Sequence, residues 1–146
     1  MSDKINTLQN IINEFESRVN TLKQNMLNDF KSVINDVFSE VFNAHPEIEK
    51  IAWTQYTPYF NDGESCIFNV HDVYFLRTDD TQELKESHIY EWHSAGWGDD
   101  VKNFPALKKL NALITSSEDI LLMMFGDHCQ ITVTRDGIDV EEHEHD

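Results

Sequence analysis

The chain has 146 residues, 27 acidic and 11 basic, for a formal charge of −16, with 40% hydrophobic and 11% aromatic residues. That length and apolar content suit one globular domain with a single core that needs no disulfide or metal staple. The charge repels nucleic acid and anionic lipid, so direct nucleic-acid binding and membrane binding are disfavoured, and a basic protein partner, a cation or plain solubility remain.

In chain order, the start Met-Ser-Asp-Lys has no basic region followed by an apolar one, and no run of about eighteen apolar residues follows, so a cytoplasmic protein is expected. Residues 4–43 contain neither Gly nor Pro. Their apolar positions Ile5, Leu8, Ile12, Phe15, Val19, Leu22 and Met26 advance by alternating steps of 3 and 4, the heptad seam of a long helix. From Phe30 the stripe widens through Val33, Ile34, Val37, Phe38, Val41 and Phe42, as where a helix lies on a globular core. His45-Pro46 ends the helix, because the residue before proline is pushed out of the helical region.

Strands are expected at residues 51–56, 65–70 and 72–76, with Asn61-Asp62-Gly63 as the turn of a first hairpin. The rings of Trp53, Tyr56, Tyr59, Phe60 and Phe68 are expected to pack across that hairpin and onto the long helix. Residues 77–98 read as acidic, irregular chain with loops at 79–81 and 91–98. Phe104-Pro105 opens a short helix, and Ser116 or Ser117 caps another that stops at Gly126. Residues 129–141 form a second hairpin turning at Arg135-Asp136-Gly137, and 141–146 an acidic, His-containing tail. The expected fold is therefore α+β: one domain with a long N-terminal helix over residues 1–44, and short C-terminal helices packed on a mostly antiparallel sheet of two hairpins.

Chemical signatures are scarce. A phosphate-binding Gly-rich loop, a nucleophile elbow, a His-Glu-x-x-His pair and a Cys-x-x-Cys pair are all missing from the sequence. Cys66 and Cys129, the two cysteines, read as reduced thiols, with Cys66 a remote candidate nucleophile. His71, His88, His93 and His128 would serve acid–base chemistry only if the fold gathered them, and the tail's His143 and His145 read as weak, adventitious metal ligands. No catalytic residue, metal site or cofactor is assigned.

The acids Asp62, Glu64, Asp79, Asp80, Asp99, Asp100, Asp136, Asp139, Glu141, Glu142 and Glu144 are the candidate surface for a basic partner. Trp92 and Trp97 stand beside some of them and suit recognition of Arg- or Lys-rich surfaces. The alternative candidate surface is Ile5, Leu8, Ile12, Phe15, Val19 and Leu22, through which a homodimer or an adaptor would form.

The string Trp53-Thr54-Gln55-Tyr56-Thr57-Pro58-Tyr59-Phe60-Asn61-Asp62-Gly63-Glu64 with Cys66 resembles a family of small acidic proteins found in bacteriophage and bacterial genomes. Phe125-Gly126-Asp127-His128, Thr132-Val133-Thr134 and Val140-Glu141-Glu142 with His145-Asp146 carry the same resemblance. It implies no activity and no site residues, only an origin: a phage-related protein in a bacterial cytoplasm. There an acidic protein would imitate nucleic acid or block a basic host surface as a counter-defence inhibitor. A metal-dependent regulator or enzyme built on the histidines is the remaining alternative.

Overall fold

The computed structural model describes residues 2–59, 63 and 66–143. Its first element is an unbroken helix, α1 (Ser2–Ala44). The chain divides into two compact units, residues 1–34 and 35–146.

The first unit is helical and stabilised locally. Gln9 donates to Asn13 at 2.9 Å and Arg18 pairs with Glu14, both one turn apart, while the Thr7 and Thr21 hydroxyls bond back to the carbonyls of Asp3 and Ser17. Such pairs contribute only a few tenths of a kcal/mol each, roughly 0.2–0.5.

The second unit is built on a six-stranded antiparallel sheet. Its strands are β1 (Ile48–Tyr56), β2 (Asn69–Val70), β3 (Tyr74–Arg77), β4 (His93–Ser94), β5 (Cys129–Thr134) and β6 (Gly137–Glu142). The order is β4-β3-β1-β5-β6, with β2 paired to the end of β1. Ile51 stands opposite both Phe75 and Val133, and Trp53 opposite Ile131, so these residues share one face of the sheet. All are buried. Trp53 lies 6.1 Å from Phe38, on the last turns of α1, and 6.1 Å edge-on from Phe125, at the end of α4 (Glu118–Phe125). Helix α3 (Pro105–Thr115) adds Leu107, Leu110 and Ile114 to the same core, and Phe104 just before it meets Phe75 edge-on at 5.5 Å.

Gln55 is a long polar side chain sealed inside this face, and both ends of its amide are used. Its amide donates to the carbonyls of Leu121 at 3.0 Å and Gly126 at 2.8 Å, and its oxygen accepts from the Trp53 indole at 3.0 Å. A buried amide is tolerable only when so satisfied, and here it ties β1 to the end of α4. Arg135, in the β5–β6 turn, does similar work at the other end. Its guanidinium lies over the Phe42 ring and donates to the Phe42 carbonyl, an acceptor that the end of α1 leaves over, and to the carbonyls of Pro46 and Ile48 beyond the helix.

The α+β class and the two terminal elements match the sequence expectation, but the sheet is more unified than two hairpins. Strand β1 is buried on both faces from Ile51 through Gln55, the mark of an interior strand, and it pairs with β2, β3 and β5. The strand expected at 65–70 is only Asn69–Val70 among the described residues. Phe60 and the turn residues Asn61 and Asp62 lie outside those residues. Within 77–98 the structure adds α2 (Gln82–Glu86), whose first turn is capped by Thr81 accepting from the Leu84 N–H, a 3-10 turn at Ile89–Glu91, and β4. Ser117 precedes α4, yet its hydroxyl bonds back to the Leu113 carbonyl at 2.6 Å rather than capping α4. Strand β6 runs two residues into the segment expected as tail, and the His143 N–H then donates to the His128 carbonyl at 2.8 Å.

Candidate functional site

The heptad seam stands in solvent. Ile5, Leu8, Ile12, Phe15, Leu22 and Met26 are exposed, from 42% at Ile12 to 67% at Phe15, and Val19 is half-buried. Isolated surface hydrophobics are ordinary, but a continuous row on one helix is a surface built to be covered. Sequence reasoning missed Ile11, also exposed, which follows the Leu8 position by three and widens the seam.

The candidate acids are scattered, and several have internal partners. Asp80 has a side chain only 7% exposed. Its carboxylate accepts from the Arg77 backbone N–H at 2.7 Å and faces His93 Nε2 at 3.0 Å. Burial alone would raise its pKa, but the bonds from Arg77 and His93 outweigh it and hold the group below the usual carboxylate value. The other ring nitrogen of His93 meets Asp100 at 3.1 Å, so one imidazole joins the 79–80 loop to the 3-10 turn Asp100–Asn103. Asp79 pairs with Arg77 and Asp99 with Lys102, both at the surface. Asp62, Glu64 and Glu144 lie outside the described residues.

Asp136, Asp139, Glu141 and Glu142 remain, all exposed on or beside β6. Asp139 stands opposite Thr132 and Glu141 opposite Gln130, so these two carboxylates share one face. Strand β6 is an end of the sheet path, where charged side chains discourage pairing with another chain's edge.

The two tryptophans separate. Trp92 is half-buried and its indole N–H donates to the Ser87 carbonyl at 3.2 Å, whereas Trp97 is 72% exposed. The loop carrying Trp97 is fixed beneath it: Ser94 Oγ accepts from the N–H groups of Gly96 and Trp97. Gly96 lies so close to Asp72 that an added Cβ would fall 2.7 Å from the carboxylate.

The histidines divide into separate settings. On the second face of the sheet, Tyr90 shares a 2.9 Å hydrogen bond with Thr54, reaches His143 at 3.5 Å and meets Tyr74 edge-on, while Tyr56 stacks on His71 at 4.4 Å and His88 lies beside Tyr90. Burial first, and neighbouring phenols next, raise the pKa values of Tyr56 and Tyr74, so these phenols stay protonated. His143 is buried in this cluster, a packing role the tail reading did not foresee. His93 is held by acids elsewhere, and His128 stacks on Tyr59 at 4.8 Å. Asp127 accepts from the N–H and hydroxyl of Thr57, both at 2.7 Å, and from the His128 N–H. Against the opposing effect of burial, these bonds hold its pKa down.

Cys129 is buried, and desolvation, aided by Asp127, pushes its thiol up to about 11, leaving it protonated and inert. Cys66 is exposed. Among the described residues, no group of three or more His, Cys, Asp or Glu could hold a metal ion, and no helix is long and apolar enough to cross a membrane. Set against protein-family models, curated proteins and solved structures, the chain matches none.

Proposed function

We propose that the protein is a non-enzymatic interaction protein that works by pairing its N-terminal helix with another amphipathic helix, as an adaptor or an oligomer. The observation that carries this reading is the row Ile5, Leu8, Ile12, Phe15 and Leu22, all large, apolar and exposed along one heptad seam. Covering a side chain of this size is worth roughly 1.5–3 kcal/mol when complete, so the seam supplies a driving force that the few polar pairs of the same helix lack. Helices in proteins draw most of their stability from packing an amphipathic face, so pairing would also stabilise the helix itself.

The test replaces Ile12 and Val19 with Asp in the full chain. The wild type should sediment above its 17.0 kDa chain mass, or retain a partner from a bacterial lysate, and the double variant should do neither. Identical behaviour of the two would remove the reading.

A second reading is favoured by the β6 acids: Asp139 and Glu141 side by side would meet a basic protein surface, including the nucleic-acid channel of a host enzyme. The resemblance to phage proteins supports a counter-defence setting in a bacterial cytoplasm. Binding of this kind is steered by charge and fades with salt. Reversing both charges should abolish salt-sensitive capture of a basic partner, and unchanged capture would exclude this surface.

A further inference from the structure

We infer that the occupant of the helix seam is a second copy of this chain, running antiparallel. The inference rests on the helix-pairing reading and adds the identity and direction of the partner. With Ile5 at heptad position a, the seam places Ile12, Val19 and Met26 at a and Leu8, Phe15 and Leu22 at d.

Side-chain size favours the antiparallel order. In a parallel pair each layer meets its own copy, so Phe15 faces Phe15 while Val19 faces Val19, and bulky and thin layers follow each other. In an antiparallel pair a faces d: Ile12 meets Phe15, Leu8 meets Val19, and Ile5 meets Leu22. The layers that carry Phe15 and Val19 then join a larger side chain to a smaller one, and the Ile5–Leu22 layer joins two of equal volume, so no layer doubles the bulkiest or the thinnest residue.

Flanking charge points the same way. A parallel pair brings position g of one helix to position e of the next heptad on its partner, which sets Arg18 against Lys23 twice per dimer. An antiparallel pair instead sets g against g and e against e, so Arg18 lies across from Ile11 and Glu16 across from Gln9. No like charges meet, and the long aliphatic stem of Arg18 covers exposed Ile11. Asp29 occupies the next d position, which ends the apolar seam after Met26. With on the order of 100 Å² left to cover on each large side chain, the seam and Ile11 approach the roughly 800 Å² per partner of a standard interface.

The test uses the full chain with exposed Cys66 replaced by Ser, leaving Cys129 buried. Sedimentation at roughly 100 μM, far above a micromolar Kd, should give twice the chain mass. Chains carrying Ile12→Cys and Phe15→Cys should form a disulfide-linked dimer when mixed under mild oxidation, and neither should link to itself. Should either cysteine weaken pairing, Lys23→Glu gives an independent reading: an antiparallel dimer keeps its Kd within about twofold, whereas a parallel one tightens several-fold as two repulsions become attractions. Self-linking of Ile12→Cys, or tightening by Lys23→Glu, overturns the antiparallel order alone. A single-chain mass overturns the second copy as occupant, and the helix-pairing reading then stands or falls on seam-dependent capture of another protein.

Discussion

Residues 5–22 and residues 48–55 are both rich in large apolar side chains, yet one stretch leaves Phe15 and Leu22 in water and the other seals Ile48, Ile51 and Trp53 completely. The helix has satisfied its backbone within itself and has no internal need for a partner, so its apolar face is free to serve another chain. The strand satisfies its backbone only through neighbours, and recruiting β3 and β5 for that purpose buries its side chains as a by-product. Stability therefore resides in the second unit, and the first unit holds the exposed means of association.

That division is broken most forcefully by Phe75→Ala. Phe75 is buried between Phe104 and His93, and its loss should cost about 3–5 kcal/mol. Urea unfolding followed by tryptophan fluorescence should show it, because Trp53 is sealed in the same core. Ile12→Ala should leave that transition within about 0.5 kcal/mol. A comparable loss from both substitutions would show that the two regions share one stability.

Next in size is Gln55→Leu. It removes three hydrogen bonds, taking the acceptor from the Trp53 indole N–H and the amide donor from the Leu121 and Gly126 carbonyls, the latter keeping the Cys129 thiol, at a cost of about 2–4 kcal/mol in the same assay. A neutral outcome would mean that α4 can shift to let water reach those groups.

The elements that were legible in the sequence are those whose periodicity is local. The alternation of 3 and 4 reported α1, Pro105 and Gly126 reported the limits of α3 and α4, and Arg135-Asp136-Gly137 reported the last turn. Gln55 was not legible as a core residue, because a Gln reads as surface until Leu121 and Gly126 are brought to it from some seventy residues away. The same holds for Asp80: as sequence it is one acid among many, and only the return of β4 beside β3 brings His93 to it. Charge could be counted from sequence, but its division into acids tied to His93 and acids standing free on β6 depends on sheet order.

Asp80 sharpens the comparison through pH. Its folded pKa lies below the ordinary carboxylate value, as does that of Asp127, so both contribute stability that is complete above about pH 4 and is lost as pH falls through the lowered folded values. Both belong to the second unit. Asp80→Asn should cost about 1–3 kcal/mol near neutral pH and flatten the acid limb of stability against pH, as read from urea midpoints between pH 7 and 2. Retention of a steep limb in that variant would assign acid sensitivity to Asp127 or to groups outside this cluster.

The smallest expected effect on stability comes from β6, where Asp139→Thr with Glu141→Thr should change unfolding by no more than about 0.5 kcal/mol, since both carboxylates are exposed. Association should respond more. Strand β6 ends the sheet path among the described residues, and removing two like charges from it lowers the barrier to edge-to-edge pairing, so light scattering of the variant should rise with concentration. Salt separates this guarding role from the basic-partner role. Screening weakens repulsion between two acidic edges, so scattering of the wild type should grow with salt, whereas capture of a basic protein by the same edge should decline over the same range. Wild-type scattering indifferent to salt, with capture lost, would leave the β6 acids a recognition surface and would place association on both units rather than on the helix alone.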